Sequence, residues 1–189
     1  MPMTKTIYAP GEYYHSYNRG VNRQPIFFAQ HNWGFFIRRL VEYFQPDLVD
    51  IIAYCLMPNH YHLLVHLKDE NFSHAVMQPF GTSYTKAINK EQERVGPLFQ
   101  GQFKGKHVDN QDYLTHLSRY IHRNPVDARL VASPGKWVFS SYQDYVGLRN
   151  GTLPKPDIVL SQFASVADYR AYAENQDEDD KGIEHLLFD

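Results

Sequence analysis

Two short segments of the chain carry side chains whose type and spacing suit chemistry on a phosphate. The first reads Asn59-His60-Tyr61-His62-Leu63-Leu64-Val65-His66-Leu67. In a strand, side chains alternate between faces, so His60, His62, Leu64 and His66 share one face and Tyr61, Leu63, Val65 and Leu67 the other. The second set is apolar and is the natural core face. Imidazoles at i and i+2 stand about 6.8 Å apart along a strand, close enough to converge on one ion or one phosphate. Read by spacing alone, the motif is weak, and two unrelated surface histidines are the plainer reading of His60 and His62.

The second segment reads Ser118-Arg119-Tyr120-Ile121-His122-Arg123-Asn124-Pro125. Tyr120 and Asn124 are four apart, so on a helix the phenol and the amide lie on one face and can point at one place. Tyr113 and Leu117 extend that stripe upstream. The plainer alternative makes Tyr120 a core aromatic and Asn124 a C-terminal cap. His122 lies two residues from Tyr120, on a different part of the helix surface, and so falls outside the catalytic set.

Elements that would position these segments follow from periodicity. Alternation over 13–19 predicts a first strand, closed by Gly20 and a loop at 22–25. Trp33, Phe36, Ile37, Leu40, Val41 and Phe44 follow helical spacing, predicting a helix over 30–44 that Pro46 terminates. Residues 48–57 and 60–67 are β-rich and joined by a tight Met57-Pro58-Asn59 turn, hence a hairpin. A second helix is expected over 72–94, a strand or ordered loop over 98–108, and a third helix over 111–124, capped by Asp109 or Asn110 and stopped by Pro125. Weaker helical signals cover 142–148 and 166–174. Hairpin-linked strands interrupted by helices point to an α+β sandwich, an antiparallel sheet with helices packed on it. The division expected is a domain over 1–150 and a C-terminal extension with an acidic tail over 151–189.

Composition narrows the class. At 43% hydrophobic the 189-residue chain can bury a sizeable core, and wholesale disorder is excluded. No apolar run approaches the roughly 18 residues of a membrane helix, and the N-terminal residues lack the pattern of a secretory signal. Cys55 is the single cysteine, which excludes an intrachain disulfide or a cysteine-based zinc cluster. The expectation is a cytoplasmic protein without membrane partners. The net charge of −2 conceals an asymmetry. Residues 160–189 carry −6, leaving +4 on the first 159, a mildly basic body that permits nucleic-acid binding.

Taken together the motifs resemble the single-tyrosine HUH transposases, specifically the REP-associated tyrosine transposases. His60-Tyr61-His62 matches the pattern of histidine, bulky residue, histidine. The lead-in 53–59, the opening 14–27, the stretch Gly96-Pro97-Leu98-Phe99-Gln100-Gly101-Gln102-Phe103-Lys104 and the helix Arg119-Tyr120-Ile121-His122-Arg123-Asn124-Pro125-Val126 are similar to the family's in order and type, over about 12–131. The resemblance implies a ferredoxin-like α/β sandwich with the HUH motif on a strand and the catalytic tyrosine on a helix. It also implies metal-dependent cleavage and joining of single-stranded DNA at hairpins in a nucleoid-associated enzyme. His60, His62 and Asn124 would hold a divalent ion, Mg²⁺ or Mn²⁺, and Tyr120 would be the nucleophile, forming a 5′-phosphotyrosine intermediate. Arg19, Arg23, Lys104, Lys106, Arg119 and Arg123 would contact phosphates, and Phe99 and Phe103 would stack on bases. The oligomeric state stays open between monomer and homodimer. Two other readings compete: a catalytically silent hairpin-binding protein, and a metallohydrolase of small phosphate esters with Tyr120 structural.

Overall fold

The computed structural model describes residues 6–175. The acidic run at 176–180 and the rest of the expected tail lie outside the described residues. Four strands form one antiparallel sheet: β1 (Tyr13–Arg19), β2 (Val49–Met57), β3 (His60–Leu67) and β4 (Lys104–Val108), in the spatial order β2-β3-β1-β4. β3 is antiparallel to both β1 and β2, so those two run parallel with β3 inserted between them. This is the split arrangement of a ferredoxin-like sandwich. Helices α1 (Gln30–Tyr43) and α2 (Gln78–Glu91) complete it, and α3 (Gln111–Asp127) follows β4. Three short helices close the described chain: α4 (Tyr142–Tyr145), α5 (Asp157–Leu160) and α6 (Val166–Glu174).

The sheet is buried on both faces, which alters the expectation of one core face and one polar face. Tyr61, Leu63 and Val65 meet Phe36, Leu40, Phe80 and Tyr84 from α1 and α2 in a first core. On the reverse face Leu64 joins Leu114, Leu117 and Ile121 of α3 with Tyr142, Tyr145, Val159, Tyr169 and Ala173 in a second core. The boundary expected at residue 150 does not coincide with a break in packing. Lys155 donates its amide to the Ile51 carbonyl at 2.8 Å, and α5 and α6 fill the second core.

The tip of the β2–β3 hairpin is held where the site needs it. Met57 pairs with His60 across the Pro58-Asn59 turn, and Gly20 N–H donates to the Asn59 carbonyl at 2.7 Å. Gly20 is obligatory, because a Cβ there would stand 2.0 Å from the Gln24 carbonyl oxygen.

Two boundaries differ from the sequence reading. The second helix is entered through a π-turn, Phe72–Met77, and ends at Glu91. α3 runs through Pro125 to Asp127. Proline removes one backbone donor in the last turn, its ring is buried, and Ala128 N–H still reaches the Asn124 carbonyl. Within 98–108 only Lys104–Val108 is strand; the preceding residues form a loop tied to β1 by a bridge from Phe99 to Gly20.

Candidate active site

Burial decides the character of the two motif histidines. His62 is fully buried and His60 half-buried, so neither is an incidental surface residue. Burial, reinforced by the neighbouring His60 and His15, holds the His62 imidazolium form well below its ordinary range. Burial likewise lowers His60 to about 4, with Asn124 opposing and Arg19 assisting. Both rings are therefore neutral at neutral pH, the form that ligates metals.

Each ring is oriented through Nδ1. His60 Nδ1 lies 2.7 Å from Asn59 Oδ1, while Asn59 Nδ2 donates to the Arg23 carbonyl at 3.1 Å. That second bond fixes which end of the amide faces the ring, so Nδ1 carries the proton and Nε2 the lone pair. His60 Nε2 then faces Asn124 Oδ1 at 3.4 Å, two acceptors converging from β3 and α3. His62 Nδ1 lies 2.9 Å from Nε2 of His15, itself fully buried on β1. With His15 Nε2 as the acceptor, the His62 proton sits on Nδ1 and the lone pair on the buried Nε2. Such outer partners fix ring and tautomer in metal sites.

α3 supplies the opposing wall. Asn110 caps it, its side chain accepting from Tyr113 N–H at 2.9 Å. Leu114, Leu117 and Ile121 dock it on the sheet, which brings Tyr120 over the histidines. The Tyr120 ring centroid is 5.5 Å from that of His62 and 6.3 Å from that of His15, both edge-on. Tyr120 and Asn124 thus do share a helix face, and that face meets His60 and His62. His122 points into the second core instead, between Tyr169 Oη and Ser141 Oγ at 2.7 Å each.

The donor set suits a divalent ion. Two neutral imidazole nitrogens and an amide oxygen form a mixed nitrogen and oxygen set, and among the described residues no group of three histidine, cysteine or acidic side chains is arranged to hold a metal by itself.

The residues expected to contact DNA divide into two groups. Arg19 pairs in register with His60, Lys104 with Tyr17 and Lys106 with His15, so all three cations rise from the histidine face of the sheet. Lys106 Nζ sits 5.7 Å from the Tyr17 ring centroid, and Arg19 Nε donates to Gln100 Oε1 at 2.9 Å. Arg23 is exposed in the loop beside Asn59. Arg119 and Arg123 are placed otherwise. Arg119 is 1% exposed and donates to the carbonyls of Tyr172 and Asn175. Arg123 donates to the Glu174 and Asn175 carbonyls and pairs with Asp127 at 3.1 Å. The last carbonyls of α6 form the negative end of its dipole, and the two guanidiniums bond to them. Phe99 is likewise a core residue, packed edge-on to Tyr61 at 5.9 Å, and Phe103 stacks on Tyr8 at 5.8 Å.

His15 and Asn59 were missed by the sequence reading. Alternation placed His15 on a strand, but only the β1–β3 register shows that it faces His62.

A ferredoxin-like sheet with paired histidines facing a helical tyrosine defines a class, and the family comparison agrees. The family model for IS200-like transposases matches residues 10–124, and the chain belongs to that family. It is similar to a putative REP-associated tyrosine transposase of Haemophilus influenzae, 28% identical over 105 residues that cover 49% of this chain and 58% of that one. The chain thus matches less than two thirds of that relative's length. A solved REP-associated tyrosine transposase bound to a REP hairpin shares the fold, with a TM-score of 0.59 at 20% identity over 83% of this chain and 90% of that one.

Proposed function

We propose that the protein cleaves and rejoins single-stranded DNA beside REP-type hairpins. Tyr120 is the nucleophile and His60, His62 and Asn124 hold a divalent ion, Mg²⁺ or Mn²⁺. The observation that carries this reading is the convergence of Tyr120 and Asn124, one helical turn apart, on the two imidazoles of β3. When bound, the ion would neutralise charge on the scissile phosphate. Membership of the transposase family and the hairpin bound by the solved relative support the DNA substrate.

The chain's own residues perform the remaining tasks. Arg19, Lys104 and Lys106 attract and orient the backbone along the histidine face. The Tyr120 oxygen attacks phosphorus, the bond to the 3′ oxygen breaks, and that oxygen takes up a proton to leave a free 3′-OH. The phenol proton departs as the attack proceeds. The 5′-phosphotyrosine retains a high-energy phosphodiester, so a second 3′-OH can displace Tyr120 and rejoin the strand without ATP.

Access dictates strandedness. The backbone has to thread between helix and sheet in line with the phenol, and melting a duplex to allow this costs roughly 1.4 kcal/mol per base-pair step. A hairpin supplies a folded handle with an unpaired flank. Matched top-strand, bottom-strand and duplex oligonucleotides incubated with Mn²⁺ test this. One single strand is nicked and the duplex is nearly untouched; equal nicking of duplex and single strand would show a conventional nuclease instead.

A further inference from the structure

α3 is held from behind by hydrogen bonds that the strand-transfer reaction does not use. Ser118 and His122 each lie two residues from Tyr120, about 160° around the helix from it, and both meet Tyr169 of α6. Tyr169 Oη is 3.3 Å from Ser118 Oγ and 2.7 Å from His122 Nδ1. One hydroxyl therefore grips the helix on both sides of Tyr120 in the chain. On the flank, Arg119 Nη2 donates to the Asn175 carbonyl at 2.7 Å, and Arg123 Nη1 donates to the same carbonyl at 3.2 Å. α6 and its C-cap residue hold α3 at positions 118, 119, 122 and 123, all around the turn that presents Tyr120.

The second ring nitrogen of His122 continues the connection to the sheet. Nε2 is 2.7 Å from Ser141 Oγ, which accepts from Tyr54 N–H at 2.9 Å. Tyr54 pairs with Leu63, the residue after His62 on β3. A path of short hydrogen bonds joins the helix that carries Tyr120 and Asn124 to the strand pair that positions His60 and His62. One arrangement of protons uses each donor once. Ser141 donates to His122 Nε2, His122 Nδ1–H to Tyr169, Tyr169 to Ser118, and Ser118 to the Thr115 carbonyl. Ser141, His122 and Tyr169 have the connectivity of a hydrolytic triad, but each is 0% exposed, so no substrate reaches them.

We infer that Tyr169, acting through Ser118 and His122, is a positioning residue for Tyr120 and Asn124, and that the path to Ser141 sets the rotation and height of α3 over the histidines. The inference rests on the reading of Tyr120 as the nucleophile. Leu117 and Ile121 also dock α3, but apolar contacts are non-directional, whereas hydrogen bonds weaken steeply with distance and angle. The polar path therefore supplies the register that apolar packing leaves loose. Register matters because a misplacement of about 1 Å at the reacting atoms costs on the order of a hundredfold in rate.

Tyr169→Phe removes one hydroxyl and keeps the ring. Tyr145→Phe is the matched control: Tyr145 is buried in the same core, and its hydroxyl donates to the Ile52 carbonyl at 3.0 Å rather than to α3. Both variants and wild type are compared for melting temperature, for affinity toward a single strand carrying a hairpin, and for the single-turnover rate of covalent adduct formation at saturating DNA with Mn²⁺, well below the melting temperatures. Both variants melt lower than wild type by similar amounts and bind the hairpin within about twofold of it, since no DNA contact is removed. Adduct formation slows at least about tenfold in Tyr169→Phe and stays within about twofold of wild type in Tyr145→Phe. Ser141→Ala, which cuts the path at the sheet, slows it as well, and the double variant with Tyr169→Phe loses less than the product of the single losses, because either cut releases the same helix. Without metal or DNA, amide hydrogen exchange over 116–124 is faster in Tyr169→Phe than in Tyr145→Phe. Equal adduct rates in Tyr169→Phe and Tyr145→Phe, or a loss that lies wholly in hairpin affinity, would overturn the inference and leave the role of Tyr120 standing. A wild type that forms no adduct would overturn both.

Discussion

The two faces of the sheet are buried to similar depth but with different residues. The α1–α2 face is sealed largely by aromatic and aliphatic side chains, Phe36, Leu40, Phe80 and Tyr84 at 0% exposure. The α3 face buries His15, His62, His122, Arg119 and Arg123 among its apolar residues. Burying a titratable group costs free energy unless it is hydrogen-bonded, and here each is: His15 to His62, His122 to Tyr169 and Ser141, the arginines to the end of α6. One face therefore contributes stability, and the other spends some of it to hold neutral imidazoles beside a tyrosine.

Substitutions on the two faces should consequently fail in different assays. Phe80→Ala on the first face is expected to lose about 3–5 kcal/mol of stability through transfer and cavity terms, read as a fall in the denaturation midpoint. Any loss of activity should follow the unfolded fraction. On the second face, His60→Ala or His62→Ala should each lower turnover at least about a hundredfold with the protein still folded. Chelation of the wild type should reproduce that loss and Mn²⁺ should reverse it. Full activity in chelator would dissolve the distinction between the faces.

Acid should weaken the second face selectively. Burial lowers His122 to about 3 from its ordinary 6.5. The unfolded chain takes up a proton as pH falls through 6.5 while the folded chain does not. The stability from this neutral histidine is thus complete above pH 6.5 and declines by up to about 1.4 kcal/mol per pH unit below it. Urea midpoints from pH 7 to pH 5 measure this. His122→Gln should flatten the decline, and an unchanged slope would show that His122 does not stay neutral when folded.

A smaller effect is expected at His15. His15→Phe keeps an aromatic ring but removes the acceptor for His62 Nδ1, and should weaken Mn²⁺ binding about tenfold or more while costing about 1–3 kcal/mol of stability for the buried donor left unpaired. His15→Gln, which retains an acceptor, should recover most of the affinity. Calorimetric titration with Mn²⁺ in the absence of DNA distinguishes the two variants.

How far the sequence revealed this division depends on the range of the interactions. The strands of β1 to β3 and the hairpin turn were legible because alternation and the Pro58-Asn59 pair are local signals. The Tyr120–Asn124 face was legible because helical spacing fixes it. The places of Arg119 and Arg123 were not, because their acceptors lie about fifty residues away at the end of α6, and only the fold brings that helix end to α3. Nor was the second core legible, since Leu64 between two histidines reads as a polar strand face until α3 covers it. Pro125 misled for a local reason: the helix tolerates one missing donor where the ring itself is buried.

The assignment of Tyr120 is open to one direct measurement. Wild type and Tyr120→Phe are incubated with Mn²⁺ and a labelled single strand carrying a hairpin, then resolved on a denaturing gel, and any adduct is digested for mass spectrometry. Wild type should give a denaturation-resistant protein–DNA adduct with the phosphate on the peptide containing Tyr120. Tyr120→Phe should give none while binding the hairpin within about threefold of wild type, because only the nucleophilic hydroxyl is gone. An adduct of equal yield from Tyr120→Phe, or a wild-type phosphopeptide that excludes Tyr120, would contradict the assignment.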